Sequence, residues 1–302
     1  MKKQKRILIL GGTGMLGQSL VRYLSGYPEY DVYASARSLA GLQKHFPEDL
    51  LVRFRTDTVD ANDFDSIVRA IASIQPDVVI NCIGIIKQLP LSNDPLTAIA
   101  FNALLPHRIS LISHAAGARL IHISTDCVFD GKKGMYTEKD PSTAEDLYGR
   151  TKYLGELDYP HCVTLRTSII GHELKGGYGL IEWFLAQAEK VRGFRKAIYS
   201  GFPTIELARI IHDYVLPNPE LNGIYHVSSE PISKYDLLVL VAERYGKDIE
   251  IEPYDDLMQD RSLDSAIFRE TTGYQPPSWD ELVERMHSDF LANRRYYMTR
   301  DS

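Results

Sequence analysis

The segment Ile7-Leu8-Ile9-Leu10-Gly11-Gly12-Thr13-Gly14-Met15-Leu16-Gly17 decides how this chain is read. Four consecutive apolar residues run straight into glycines, the pattern of a parallel strand buried on both faces and ended by a tight turn. Beyond the turn, Leu16, Leu20 and Leu24 recur every fourth residue and mark one face of a helix. Gly11, Gly14 and Gly17 satisfy G-x-x-G-x-x-G, and Gly12, Gly14 and Gly17 also satisfy G-x-G-x-x-G. Glycine tolerates positive φ and lets a phosphate approach the backbone. The helix N-terminus behind it offers free N–H groups and a partial positive charge. A turn without any ligand could have this composition, but the strand before it and the helix after it favour nucleotide binding. The residues expected at the nucleotide are Gly11, Thr13, Gly14, Met15, Leu16 and Gly17.

The whole composition fits that reading. The 302 residues are enough for one large or two modest domains. With 44% hydrophobic and 25% charged residues the chain has an ordinary globular composition. A net charge of −6 and a pI near 5.9 argue against a general nucleic-acid binder. Lys2-Lys3-Gln4-Lys5-Arg6 reads as the solvated lead-in to the first strand, not as a targeting segment. No apolar run suggests a membrane span. Cys82, Cys127 and Cys162 are widely spaced and form no C-x-x-C pair, as expected of buried thiols in a reducing, cytoplasmic setting. The nine histidines show no ligand spacing, so no metal is expected.

Further strands are expected at 31–36, 51–55, 78–84, 120–124 and 162–166, with helical stripes between them. This alternation predicts an α/β doubly wound parallel sheet of the Rossmann type. The second strand ends at Ser35-Ala36-Arg37 without an acid. A carboxylate there would suit the ribose of NAD, whereas an arginine suits the 2′-phosphate of NADP. Arg37 therefore predicts NADP(H), with NAD(H) as the second choice; the competing reading is a surface charge opening the next helix. Asp57 is placed either to meet an adenine amino group or to start a turn. Cys82, Ile83 and Gly84 end the fourth expected strand on the edge where ligands collect. Asp94-Pro95 predicts a helix start, and Pro106 a bend within that helix, one turn beyond Asn102.

Ser124-Thr125-Asp126 closes the fifth expected strand, and Tyr148-Gly149-Arg150-Thr151-Lys152 opens a helix some twenty residues later. Tyr148 and Lys152, four residues apart, share one helix face. A free phenol has a pKa of about 10, which a neighbouring ammonium lowers. With a hydroxyl from Thr125, these groups make an acid/base site for interconverting a carbonyl and an alcohol beside a nicotinamide.

These motifs, with Ser124–Gly131 and Leu165-Arg166-Thr167-Ser168, resemble the extended short-chain dehydrogenases/reductases, and among them the dTDP-4-dehydrorhamnose reductases. The resemblance covers the first half of the chain. It implies that Thr125, Tyr148 and Lys152 are the catalytic triad, with Tyr148 the proton donor and Lys152 holding the nicotinamide ribose. It also implies a substrate wall of Thr125, Asp126, Val128 and Phe129. Related dehydratases carry Thr-Asp-Glu, and here Cys127 replaces that glutamate, so simple reduction is favoured over elimination. The implied activity is NADPH-dependent reduction of a nucleotide-linked 4-keto-6-deoxy sugar, in a cytoplasmic protein able to form a homodimer. Two alternatives stay open. One is an epimerase with bound NAD. The other is a non-catalytic regulatory subunit, since one from methionine adenosyltransferase resembles the same reductases. The resemblance further implies interleaved domains: 1–172 and 200–228 for the nucleotide, 173–199 and 229–302 for the substrate. In the latter, Trp183, Arg192, Arg195 and Lys196 are candidate ligand contacts, each with a plain structural alternative. Asp260–Asp264 and Trp279 are candidate cleft edges.

Overall fold

The computed structural model describes residues 3–54 and 58–297, so Asp57 lies outside the described residues. The apolar run after Lys5 forms strand β1, Lys5–Leu10, in which Ile7 to Leu10 are completely buried. The glycines follow at once, and helix α1 runs from Met15 to Ser25. Strands β2 (Tyr30–Ala34), β3 (Val78–Asn81), β4 (Arg119–Thr125) and β5 (Cys162–Thr167) join β1 in one sheet with the strand Gly223–His226. All neighbours are parallel, in the order Gly223–His226, β5, β4, β3, β1, β2. Successive side chains point to opposite faces. Ile7 and Ile9 therefore pack with Leu16, Leu20 and Leu24, whereas Leu8 and Leu10 pack with Ile67, Ile71 and Ile109. The strand after β2 crosses to the far side of β1, and this reversal opens a crevice at the carboxyl ends of β1 and β3. The structure is thus the expected Rossmann-type α/β sheet.

The strand expected at 51–55 is not formed among the described residues. Instead, helix α2 occupies Glu48–Leu51, started by Pro47 and two acids in its first turn. The segment still meets the sheet edge, where the Ala34 N–H bonds the Arg53 carbonyl (2.8 Å). Phe54 turns inward against Phe46, ring centroids 4.7 Å apart. Helix α3 (Phe64–Ile74) then carries the apolar stripe onto the sheet.

The helix that follows β3 begins as expected, with the Asp94 carboxylate accepting the Thr97 N–H. It runs as α4 (Pro95–Ala98), a π-helical stretch (Ile99–Leu104) and α5 (Leu105–Ala115). At Pro106 the helix thus takes a widened turn. Proline cannot bond to the carbonyl of Asn102, and the π turn is how a helix absorbs such a defect. Contrary to the expectation from sequence, Pro95–Ala115 is long and apolar enough to cross a membrane by length and composition. Its Asn102, Ser110 and Ser113 are nevertheless buried within the protein. Helix α6 (Leu147–Leu154) packs against the π turn so closely that a Cβ on Gly155 would lie 1.9 Å from the Asn102 carbonyl oxygen.

The second half adds small sheets. Val191–Phe194 pairs with Ile251–Tyr254, and Ala197–Tyr199 lies between Ile232–Ser233 and Gln259–Asp260. The long helix Trp279–Tyr297 returns to α1, where the Tyr297 hydroxyl meets Gln18 Oε1 at 3.2 Å.

Candidate active site

At the glycine turn, Gly11 has φ +82°, open to glycine and strained for other residues. Its N–H bonds the Ser35 hydroxyl (3.0 Å), and the Gly12 N–H bonds the Ser35 carbonyl (2.9 Å). A side chain at Gly17 would put its Cβ 2.1 Å from the Gly11 oxygen. Gly17 thus seats α1 against the turn. Gly14 caps α1 with no side-chain hydrogen bond and no acid in the first turn, which leaves this N-terminus suited to an anion. Thr13 and Gly14 are exposed and Met15 half-buried, whereas the Leu16 side chain is in the core and can offer a ligand only its backbone. These features fit a dinucleotide pyrophosphate. Arg37 is exposed just beyond β2. Cys82 and Ile83 lie against Gly11. Asn102 Oδ1 accepts the Ile85 N–H at 2.9 Å and so ties the loop after β3 over the same crevice.

Thr125 ends β4, and α6 brings Tyr148 and Lys152 to it. Two local features set that approach. The Asp146 carboxylate caps α6 by accepting the Gly149 N–H (2.7 Å). Gly149 itself lies so near β4 that a Cβ would be 2.2 Å from the Cys127 oxygen. Lys152 Nζ donates to the Ile123 carbonyl (2.8 Å) and sits about one contact distance, 4.0 Å, from a Cβ built on Gly84. Lys152 thereby bridges the catalytic helix and the end of β3. Burial lowers its ammonium to about 8, against the pull of Glu156. Tyr148 lies close enough to Thr125 to feel its hydroxyl, but its phenol is pushed up, not down as the Lys152 pairing predicted. Burial is the main cause, followed by the Cys127 thiol and the Asp126 and Asp146 carboxylates. Tyr148 accordingly keeps its proton near neutrality. The Cys127 thiol is pushed up to about 12, chiefly by burial.

The residues of the expected substrate wall lie in different settings. Val128 and Phe129 are fully buried, with Tyr136 and Leu263, in a small separate core. Phe129 stacks on Tyr136 at 4.1 Å, so neither side chain reaches a cleft. Asp126 remains beside Thr125, their oxygens 3.2 Å apart. Trp279 is also buried, its indole N–H donating to the Glu230 carbonyl (2.7 Å). Trp183 is exposed, Arg192 lies over Tyr254, and Arg195 pairs with Asp255.

The fold also gathers here Arg261, from the expected cleft edge Asp260–Asp264, and two residues the sequence did not single out, Lys234 and Lys87. Arg261 Nη1 approaches the Cys127 sulfur at 3.4 Å and its Nε bonds the Phe129 carbonyl. Lys234, first residue of the helix Lys234–Tyr245, acts on Asp126 and Cys127 electrostatically. Lys87 bonds Asp146 (2.6 Å). The only local signals for these were the Ser233 cap and the charge run Asp260-Arg261.

Sheet, glycine turn and the Thr–Tyr–Lys cluster together define an NAD(P)-dependent oxidoreductase of the short-chain dehydrogenase/reductase class. More narrowly, the chain belongs to the RmlD substrate binding domain family, whose profile matches residues 5–291. It is 29% identical over 251 residues to the spore coat polysaccharide biosynthesis protein SpsK of Bacillus subtilis, covering 80% of each chain. It is 26% identical to methionine adenosyltransferase 2 subunit beta of Rattus norvegicus, covering 80% of this chain and 72% of that one. The crystal structure of dTDP-4-dehydrorhamnose reductase from Bacillus anthracis, in complex with NADP, superposes with a TM-score of 0.79. It covers 96% of this chain and 99% of its own at 23% identity, a likeness of fold.

Proposed function

We propose that the protein reduces the keto group of a nucleotide-linked 4-keto-6-deoxy sugar with NADPH, as a step in making deoxysugars for a polysaccharide. The observation that carries this reading is the convergence of Thr125, Tyr148 and Lys152 at the carboxyl edge of the sheet, beside the glycine turn. Membership of the RmlD family and the likeness to a polysaccharide biosynthesis protein support it. Bound at the turn, NADPH would supply the hydride. The residues act on the oxygen: Tyr148 gives its proton to the developing alkoxide, Thr125 holds the same atom, and Lys152 stabilises the phenolate left behind. The high Cys127 thiol makes a poor acid or base near neutrality, which disfavours elimination. Exposed Arg37 and the lack of an acid after β2 favour NADP over NAD. Residues 173–199 and 229–302 are taken as the substrate lobe.

The test is loss of NADPH absorbance with dTDP-4-keto-6-deoxy sugars generated in place, run beside NADH. Rapid NADPH oxidation, with much slower NADH oxidation, is the expected result. Turnover with neither cofactor refutes the reading. The likeness to the methionine adenosyltransferase subunit favours a second reading, a non-catalytic NADP-binding subunit. Its signature would be NADP binding without turnover and one stoichiometric enzyme partner. An epimerase would retain NAD through purification.

We also assign the protein to the cytoplasm as a homodimer. Leu96, Leu104, Leu111 and Leu154 are exposed on neighbouring helices and offer an apolar face. A monomeric mass by light scattering at micromolar concentration would reject that assignment.

A further inference from the structure

Thr125 Oγ1 has two hydrogen-bond partners and one hydrogen. It accepts the Cys127 N–H at 3.2 Å, and its own hydrogen points at Asp126 Oδ1, 3.2 Å away. While Asp126 is ionised it can only accept, so the Thr125 hydrogen belongs to it. A ketone oxygen also only accepts. In that state Thr125 has no hydrogen for the substrate, and Tyr148 alone serves it. The geometry points to Asp126 as a positioning residue that sets the direction of the Thr125 hydroxyl: protonated, it donates to Thr125 and frees the Thr125 hydrogen for the substrate oxygen. The substrate half of this inference rests on the reductase reading; the Asp126–Thr125 pairing does not.

The surroundings make Asp126 responsive. It is buried, and burial holds its carboxyl above the ordinary range. Against that act the Arg261 guanidinium and the Lys234 ammonium, from two segments of the second half, and the hydrogen bonds from Thr125 and Cys127. The phenols of Tyr148 and Tyr199 also feel the Asp126 charge. The Thr125–Asp126 bond is long for two oxygens, as suits a contact that must change polarity.

Two experiments test this. The first needs no substrate. In protein labelled with 13C-carboxyl aspartate, the resonance lost in Asp126→Asn reports the Asp126 titration. Thr125→Val removes a donor to the ionised form and should raise that pKa by about one pH unit, while Thr125→Ser leaves it in place. An unmoved pKa in Thr125→Val overturns the proposal. The second is the pH profile of kcat. The wild-type rate should climb as pH falls through the Asp126 pKa, by up to roughly 10²-fold, the worth of one oxyanion donor. Asp126→Asn, which cannot ionise, should remove this step from the profile. A profile superimposed on the wild type overturns the proposal. A shifted pKa in Thr125→Val, with no nucleotide-linked ketone reduced, upholds the pairing and rejects the reductase reading instead.

Discussion

Single residues carry the chemistry, and their surroundings decide how. Tyr148 is held protonated by burial, so Tyr148→Phe should lower kcat by at least about 10²-fold. Isothermal titration should show NADPH affinity nearly unchanged, because the phenyl ring fills the same space. Deeper in the sheet, Arg166 and Glu156 form a buried bidentate pair at 2.6–2.7 Å, and Ser124 donates to the same carboxylate. Removing one partner would strand a buried charge, so Glu156→Gln should cost about 3–5 kcal/mol in urea unfolding. His226 closes this network. Its Nδ1 faces the Tyr136 carbonyl (2.9 Å) and its Nε2 faces Arg166 (3.2 Å). Arginine only donates, so Nδ1 carries the hydrogen and the ring is neutral. Burial first, then Arg166, lowers its pKa to about 4. Between that value and about 6.5 the unfolded chain binds a proton that the folded one does not, so stability falls as pH drops through this window. The expected loss is about 3 kcal/mol by pH 4, read as Tm against pH. His226→Gln should flatten that slope, and an unchanged slope would reject the assignment.

At the scale of elements, helix α6 is aimed by its ends. Asp146 caps its start, and Gly149 and Gly155 allow backbone contact at Cys127 and Asn102. Asp146→Ala should destabilise by about 1 kcal/mol, as lost caps do, and should lower kcat as well, since the cap lies two residues before Tyr148. Lys87→Met, which removes only a half-exposed partner of Asp146, should cost less than about 1 kcal/mol. Gly155→Ala has no such tolerance. Its Cβ would collide with the Asn102 carbonyl oxygen in the π turn, and the helix must shift. Equal melting temperatures for Gly155→Ala and the wild type would contradict the packing described here.

The whole molecule is tied together across its halves. Arg22 on α1 bonds Gln18 Oε1 (2.9 Å), the His45 carbonyl (2.5 Å) and Asn293 Oδ1 (3.2 Å), and lies over the rings of Phe46 and Tyr297. It couples the nucleotide-side helix to the last helix of the chain. Arg22→Ala should cost about 2 kcal/mol, a Tm drop of roughly 3 °C for a protein of this size, in one cooperative transition if the halves unfold together. By itself the sequence determined the sheet, the glycine turn and the Thr125–Tyr148–Lys152 grouping. Each is written in local terms: an unbroken apolar run, glycines at a strand end, a four-residue helical spacing. Only the tertiary structure decided what depends on remote neighbours. Pro47 and the acids after it started a helix over Glu48–Leu51, where the sequence had suggested the beginning of a strand. The Tyr136 ring and Leu263 closed over Val128 and Phe129 in a small core. Burial, a property of the finished packing, outweighed Lys152 at the Tyr148 hydroxyl. Lys234 and Arg261, more than a hundred residues from Asp126, became its neighbours only when the second half of the chain folded back over the carboxyl ends of the strands.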